Sequence, residues 1–223
     1  LASPAELNLM LNPESGFLLE PTAILDRTGS KTLFQFENTS LSERRFLSLE
    51  LEDGRVSSEI SNQAILAAVT AADPDFFNRP EIPWNQLYPR NQSSLHHQLV
   101  AELLLQPELG DTERWIRENF LAYQLSAGYS RIQVLEWHLN SLNYGNRLYG
   151  IEQASRFYFD KSADDLTLAE GAMLAAVSRT PALNPVSAPA AAPENQLGLL
   201  EEMEEYQVIT EQETRASRRE QLV

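Results

Sequence analysis

The amino-acid sequence predicts a mainly α-helical domain with a small β element near its N-terminus. Two capping boxes, Ser130 with Gln133 and Thr167 with Glu170, mark helix starts, because each pairing satisfies two backbone N–H groups. Apolar residues then recur at helical spacing, on one face in each set: Leu135, Leu139 and Leu142, then Ile151, Ala154 and Tyr158. Nearer the N-terminus apolar residues alternate with polar ones, which is typical of strands.

The N-terminal half contains the predicted strands and three predicted helices. Prolines recur through residues 1–22, which we expect to be irregular. A hairpin is predicted over 23–36 around Thr28-Gly29-Ser30, and the alternation over 45–51 predicts a further strand. The predicted helices span 61–72, 93–105 and 112–127, the last with Asp111 as its cap and Gly128 as its stop.

The C-terminal part continues the helical pattern beyond a short linker. The run SAPAAAP at 187–193 predicts that linker, and an acidic helix is expected over 194–206. Thr210 with Glu213 caps a final helix. We therefore expect a single domain over 1–223, comprising an N-terminal extension with the hairpin (1–56), a helical core (57–186), and the linker with C-terminal helices (187–223).

The charge of the chain limits its partners. The formal net charge is −15, and Lys31 and Lys161 are the only lysines. Such an acidic surface repels nucleic acid and anionic lipid head groups, so we expect no nucleic-acid partner. No run of eighteen apolar residues occurs, and the chain starts at Leu1. We expect a fragment of a longer protein, with any membrane anchor outside it.

Histidines and cysteines give no support to a metal site. The chain has no cysteine, and two of its three histidines are the adjacent His96 and His97. Neighbouring helical positions point about 100° apart, so these two imidazoles cannot easily bind one ion. The sequence therefore predicts no metal centre.

Four segments, in order, resemble the transglycosylase domain of penicillin-binding proteins, glycosyltransferase family 51. The segments are ILDRTGS (24–30), YSRIQVLEWHLNSLNYG (129–145), LYGIEQASRFYFDKSADDLTLAEGAMLAA (148–176) and YQVITEQE (206–213). The resemblance runs from Ile24 to the C-terminus and implies a lysozyme-like, mostly helical fold.

The resemblance also implies an activity. Family members polymerise lipid II outside the cytoplasmic membrane, using one glutamate as the base and a second glutamate with basic side chains beside the leaving pyrophosphate. It implies a peptidoglycan precursor or glycan strand as ligand, cell-wall synthesis proteins as partners, and an extracytoplasmic place in the bacterial envelope, anchored through the full-length protein. No cofactor is implied, apart from a divalent cation if the domain is active.

The first family motif, Glu-Asp-x-x-Phe-x-x-His-x-Gly, is altered at the base itself. The matching stretch is ADPDFFNRPE (72–81), where Ala72 holds the base position, Arg79 the histidine position, and Asp73 remains. Losing a general base typically reduces the rate by about 10²–10⁴-fold. Asp73 and Asp75 are the candidates to replace it, but a shift of one or two helical positions turns a carboxylate by about 100–200°.

The other motifs keep some substrate-binding residues and lose cations. The family's phosphate-binding lysines correspond to Ala101, Trp115 and Arg131, and the spacer between Glu81 and Asn91 is shorter than in the family. Glu118 matches the second catalytic glutamate. The residues that the resemblance assigns to substrate binding are Ser93, Ser94, Gln98, Arg114, Arg131 and Asn140.

Three functions stay open from the sequence. The domain could be a peptidoglycan glycosyltransferase with an unusual site, or a catalytically impaired relative that serves as a binding or scaffolding module. A lysozyme-like hydrolase is the third, and it needs two carboxylates that flank a sugar cleft. Glu118 could also be a solvated helix residue near Arg114 and Arg117, and Asn140 could bridge local backbone.

Overall fold

A hairpin precedes eight α-helices in the described part of the chain. The computed structural model describes residues 47, 49–52, 55–80, 82, 88, 94–103 and 110–220. The antiparallel strands are β1 (Leu49–Glu52) and β2 (Arg55–Ser58). The helices are α1 (Asn62–Ala72), α2 (Leu95–Leu103), α3 (Asp111–Gly128), α4 (Arg131–Ser141), α5 (Ile151–Phe159), α6 (Leu168–Arg179), α7 (Ala192–Glu205) and α8 (Glu211–Ser217). The mainly α fold with a small β element is confirmed, whereas the hairpin predicted over 23–36 lies outside the described residues.

The predicted helix starts are largely confirmed. All three capping boxes form, at the N-termini of α4, α6 and α8. The prediction for α3 is wrong at both ends. Gly110 is its N-cap, and Asp111 lies in the first turn, where a carboxylate is favoured by the helix dipole. The helix also runs through Gly128, and Tyr129 is its C-cap.

Helices α1 and α6 make the tightest contact in the core. Gly171 of α6 faces Ala64 of α1, and a Cβ atom placed on Gly171 would lie 2.7 Å from the Ala64 Cα atom. Every residue of α6 from Leu168 to Val177 is buried. A helix that is apolar on all sides lies at the centre of a domain, and α6 has that position here.

The C-terminal helices continue this core. Helix α7 begins at Ala192, inside the predicted linker 187–193, with Pro193 in its first turn, where proline is tolerated. One apolar cluster joins α6 and α7, with one residue from α1: Ala67, Leu168, Ala172, Ala175, Ala176, Leu199, Leu200 and Met203. None of the helices in the described ranges has the length and apolar character needed to cross a membrane.

Side chains of α4 hold the start of the hairpin. The Asn140 amide accepts a hydrogen bond from the Leu47 N–H at 2.9 Å and donates one to the Leu47 carbonyl at 2.9 Å. One turn earlier, the Glu136 carboxylate accepts a hydrogen bond from the Leu49 N–H at 2.7 Å. Leu47 and Leu49 are both buried. The two polar side chains therefore keep two apolar ones in the core.

We expect Asn140→Ala to lower the free energy of unfolding by about 1–2 kcal/mol, because it leaves two partly buried backbone groups of Leu47 without partners. Urea denaturation followed by circular dichroism measures the change. Gln63→Ala, at an exposed position of α1, is the control and should change stability by less than about 0.5 kcal/mol. Equal stability of the Asn140 variant and the control would contradict the anchoring role.

Candidate functional site

Ala72, which the sequence predicts to hold the position of the family's base, lies at the C-terminal end of α1. Ala72 is half-buried, and its carbonyl accepts a hydrogen bond from the Gln98 Nε2 atom at 2.7 Å. The next residue, Asp73, is the C-cap and is buried. Its Oδ1 atom lies 2.7 Å from the Arg79 Nη2 atom, and its Oδ2 atom accepts a hydrogen bond from the Leu95 N–H at 3.3 Å. Both oxygens of Asp73 are therefore engaged in contacts within the domain.

Two arginines hold the turn that follows α1. Arg79 lies 3.9 Å from the exposed Asp75 as well as pairing with Asp73. Arg131, the first residue of α4, donates hydrogen bonds to the carbonyls of Phe76 and Arg79. Its guanidinium also lies 5.8 Å from the centre of the Phe76 ring. The Arg131 side chain thus fixes this turn.

The N-terminus of α2 carries a histidine in a capping position. The Ser94 Oγ atom lies 2.7 Å from the His97 Nδ1 atom, and the Ser94 N–H approaches the same nitrogen at 3.4 Å. Both residues are buried. His96 points elsewhere, with its ring 5.4 Å from the Phe76 ring. Burial, together with the positive charges of its neighbours, lowers the pKa of His96 to about 4.

Helix α3 holds Tyr88, within the short spacer, through two hydrogen bonds, and a third within α3 links the two side chains that make them. The Asn119 Oδ1 atom accepts from the Tyr88 N–H at 2.6 Å, and the Trp115 indole N–H donates to the Tyr88 carbonyl at 2.9 Å. The Asn119 amide donates to the Trp115 carbonyl at 2.9 Å. The Tyr88 ring packs 4.6 Å from the His97 ring. Trp115 therefore binds the backbone of Tyr88.

Glu118 lies on α3 in a half-buried position. Burial raises the pKa of its carboxyl group, and the positive charge of Arg114 opposes that change. Arg117 pairs with Glu113 at 2.6 Å, one turn before it on the same helix. Glu118 is thus a partly desolvated carboxylate beside a cation, a setting that suits a role in catalysis as well as a structural one.

The structure brings only part of the predicted site together. Asp73 and Gln98 join the end of α1 to the start of α2, Arg131 binds the turn after α1, and Ser94 pairs with His97 at the start of α2. Asn140 instead binds the hairpin, and Ser93 lies outside the described residues. Among the described residues, no three histidine or acidic side chains are grouped so that they could hold a metal ion.

The sequence analysis missed the role of three residues that shape the site. Asn119 and Tyr88 were not singled out, and His97 was considered only as a metal ligand, although Ser94-x-x-His97 has the spacing of a capping box. Histidine is not the usual partner in that motif, so the spacing was the only available signal. Trp137 is buried in the core, whereas Trp115 is only half-buried.

Comparison with known proteins identifies the family. A family model described as Transglycosylase matches residues 52–204 of the chain. The chain belongs to the transglycosylase family. The match includes residues 72–81, so Ala72 and Arg79 lie within the transglycosylase domain. The fold therefore belongs to the lysozyme-like class.

Similar proteins come from several bacterial groups. Penicillin-binding protein 1A of Rickettsia felis is 33% identical over 144 residues, which is 57% of this chain and 18% of that protein. Penicillin-binding protein 2D of Bacillus subtilis is 36% identical over 120 residues, 53% of this chain and 17% of that protein. The crystal structure of penicillin-binding protein 1A from Haemophilus influenzae has a TM-score of 0.39 and 25% identity, covering 65% of this chain and 18% of that one. The transglycosylase domain described here therefore spans less than a fifth of the length of these relatives.

Proposed function

We propose that this transglycosylase domain acts in bacterial cell-wall synthesis as a module that binds a peptidoglycan precursor or glycan strand without polymerising it. It would work outside the cytoplasmic membrane, beside other cell-wall synthesis proteins and as part of a longer, membrane-anchored chain. Family membership supports the peptidoglycan ligand. The proposed loss of polymerisation activity rests on the contacts that the site residues make.

One observation supports the loss: the side chains at the altered motif positions are committed to contacts within the domain. Ala72 has no group that can accept a proton. Asp73, its neighbour, uses both carboxylate oxygens on Arg79 and Leu95. Arg131 binds the carbonyls of the turn after α1, and Trp115 binds Tyr88. The base is therefore missing, Trp115 carries no charge, and the Arg131 guanidinium is engaged within the domain.

The test is a polymerisation assay with lipid II on this domain, beside Ala72→Glu and its matched control Ala72→Gln. We expect no polymer from the unmodified domain, and no polymer from either variant, because the cations are still lacking. Lipid II binding, measured by co-sedimentation in detergent micelles, should persist in all three. Polymer from the unmodified domain would contradict the proposal, and polymer from Ala72→Glu alone would show that the base is the only defect.

A second candidate function is slow glycosyl transfer that uses the Glu118 carboxylate. The raised pKa of this half-buried carboxyl group favours it, because a raised pKa makes the carboxylate a stronger base. This mechanism requires that any polymer formed disappears in Glu118→Gln while lipid II binding stays. Polymer that survives Glu118→Gln would exclude it.

A further inference from the structure

The capping pair at the start of α2 fixes the protonation state of His97. A backbone N–H can only donate, so the approach of the Ser94 N–H to the His97 Nδ1 atom requires a lone pair on that nitrogen. The Ser94 hydroxyl then donates to the same nitrogen at 2.7 Å. Nδ1 is therefore unprotonated, and the hydrogen of the neutral ring resides on Nε2, which is buried and has no hydrogen-bond partner among the described residues. The imidazole occupies the place that a glutamine or glutamate side chain takes in an ordinary capping box.

Charged and aromatic groups face His97 from each neighbouring element. Asp73 and Arg79 lie on the turn after α1, His96 precedes it on α2, and the Tyr88 ring packs against it. From α3, the amide of Asn119 faces it. Burial lowers the pKa of His97; Asn119 and Asp73 oppose this change, and Arg79 adds to it. At neutral pH the ring is therefore uncharged, as the cap requires.

We propose that the Ser94–His97 pair is an acid-sensitive clasp, which holds the first turn of α2 against Tyr88 at neutral pH and releases both when His97 takes up a proton. This goes beyond the proposed function and does not depend on it. The same imidazole caps the helix through Nδ1 and supports the Tyr88 ring on its face, so one protonation changes both contacts.

Protonation acts through two effects. After protonation, the Nδ1–H group faces the Ser94 N–H group. Two donors then oppose each other at a contact where Nδ1 accepted a hydrogen bond before. The new positive charge also lies at the N-terminus of α2, where the helix dipole disfavours cations. The first turn of α2 contains Gln98, which holds the Ala72 carbonyl, so release of the clasp also frees the end of α1.

Hydrogen–deuterium exchange, corrected for the intrinsic effect of pH, tests the clasp at pH 7 and pH 5. We expect exchange at Tyr88 and at Leu95–Gln98 to rise about five- to tenfold on acidification, the size of one lost helix cap. Amides of α6 serve as the internal reference for global unfolding. In His97→Gln, which keeps a capping side chain that does not titrate, the local rise should be absent.

His96→Gln is the matched control, because it removes the neighbouring imidazole and leaves the cap; its local pH response should persist. Ser94→Ala removes the other half of the clasp, so exchange at Leu95–Gln98 should be raised at both pH values. The proposal is overturned if His97→Gln responds to acid as the unmodified domain does. The proposal is equally overturned if His96→Gln abolishes the pH response. It is also overturned if exchange at Leu95–Gln98 in Ser94→Ala is the same as in the unmodified domain.

Discussion

Gly171→Val should lower the free energy of unfolding by about 3 kcal/mol. A Cβ atom at this position would lie 2.7 Å from the Ala64 Cα atom and 3.1 Å from the Ala64 backbone nitrogen. Backbone atoms cannot move aside as a flexible side chain can, so α1 and α6 must separate. Protein interiors are close-packed, and separating two central helices therefore weakens contacts well beyond the substituted residue. Thermal or urea denaturation measures the loss.

Two alanine substitutions supply the control. Gly198 lies within α7, and a Cβ atom there would meet no atom within 4 Å. Gly198→Ala should therefore raise stability by about 0.5–1 kcal/mol, because alanine favours the helix. Gly171→Ala gains the same helix preference but meets Ala64, so it should lower stability. A stabilising effect at both sites would show that α1 and α6 are not in contact as described.

Acidification should destabilise the domain through His138, and His138→Phe should remove much of that effect. His138 is buried, its Nδ1 atom has no hydrogen-bond partner in the structure described, and burial lowers its pKa to about 4. The unfolded chain takes up a proton near pH 6.5 and the folded chain only near pH 4, so the unfolded state binds more protons between these values. This stabilising contribution is complete above pH 6.5 and is lost as the pH falls, by roughly 3 kcal/mol at pH 4.

The measurement is the free energy of unfolding across pH 4–8 for both proteins. Phenylalanine cannot titrate, so the stability of His138→Phe should fall less steeply below pH 6.5 than that of the unmodified domain. Some slope must remain, because the pKa of the buried His96 is also lowered to about 4. Parallel curves for the two proteins would contradict the assignment.

Local patterns were predictable from the sequence, and contacts between distant residues were not. Ser130 with Gln133 and Thr210 with Glu213 lie three residues apart, so a capping box can be recognised without knowledge of the fold. The absence of a carboxylate at Ala72 is equally plain from the residue itself. The position of Gly171 against Ala64 depends on how two helices pack, which no local pattern records.

The same distinction applies to the candidate site. Arg131 and Trp115 were predicted to replace family lysines, but the groups that they bind lie elsewhere in the chain, in the turn after α1 and at Tyr88. The prediction of the α3 N-cap failed for a local reason. Asp111 and Gly110 can both begin a helix, and the sequence does not decide between neighbouring positions.

The hydrogen bonds from α4 to Leu47 and Leu49 use the spacing of helical turns to fix the register of an extended segment. Four residues of helix, from Glu136 to Asn140, rise about 6 Å, and two residues of strand advance about 6.6 Å. The two repeats match closely enough for successive turns of the helix to bind alternate residues of the segment. A slip of one residue would turn both leucines away from the core. Helix α4 thereby determines that Leu47 and Leu49 face the core. A two-stranded hairpin alone would define this orientation only weakly.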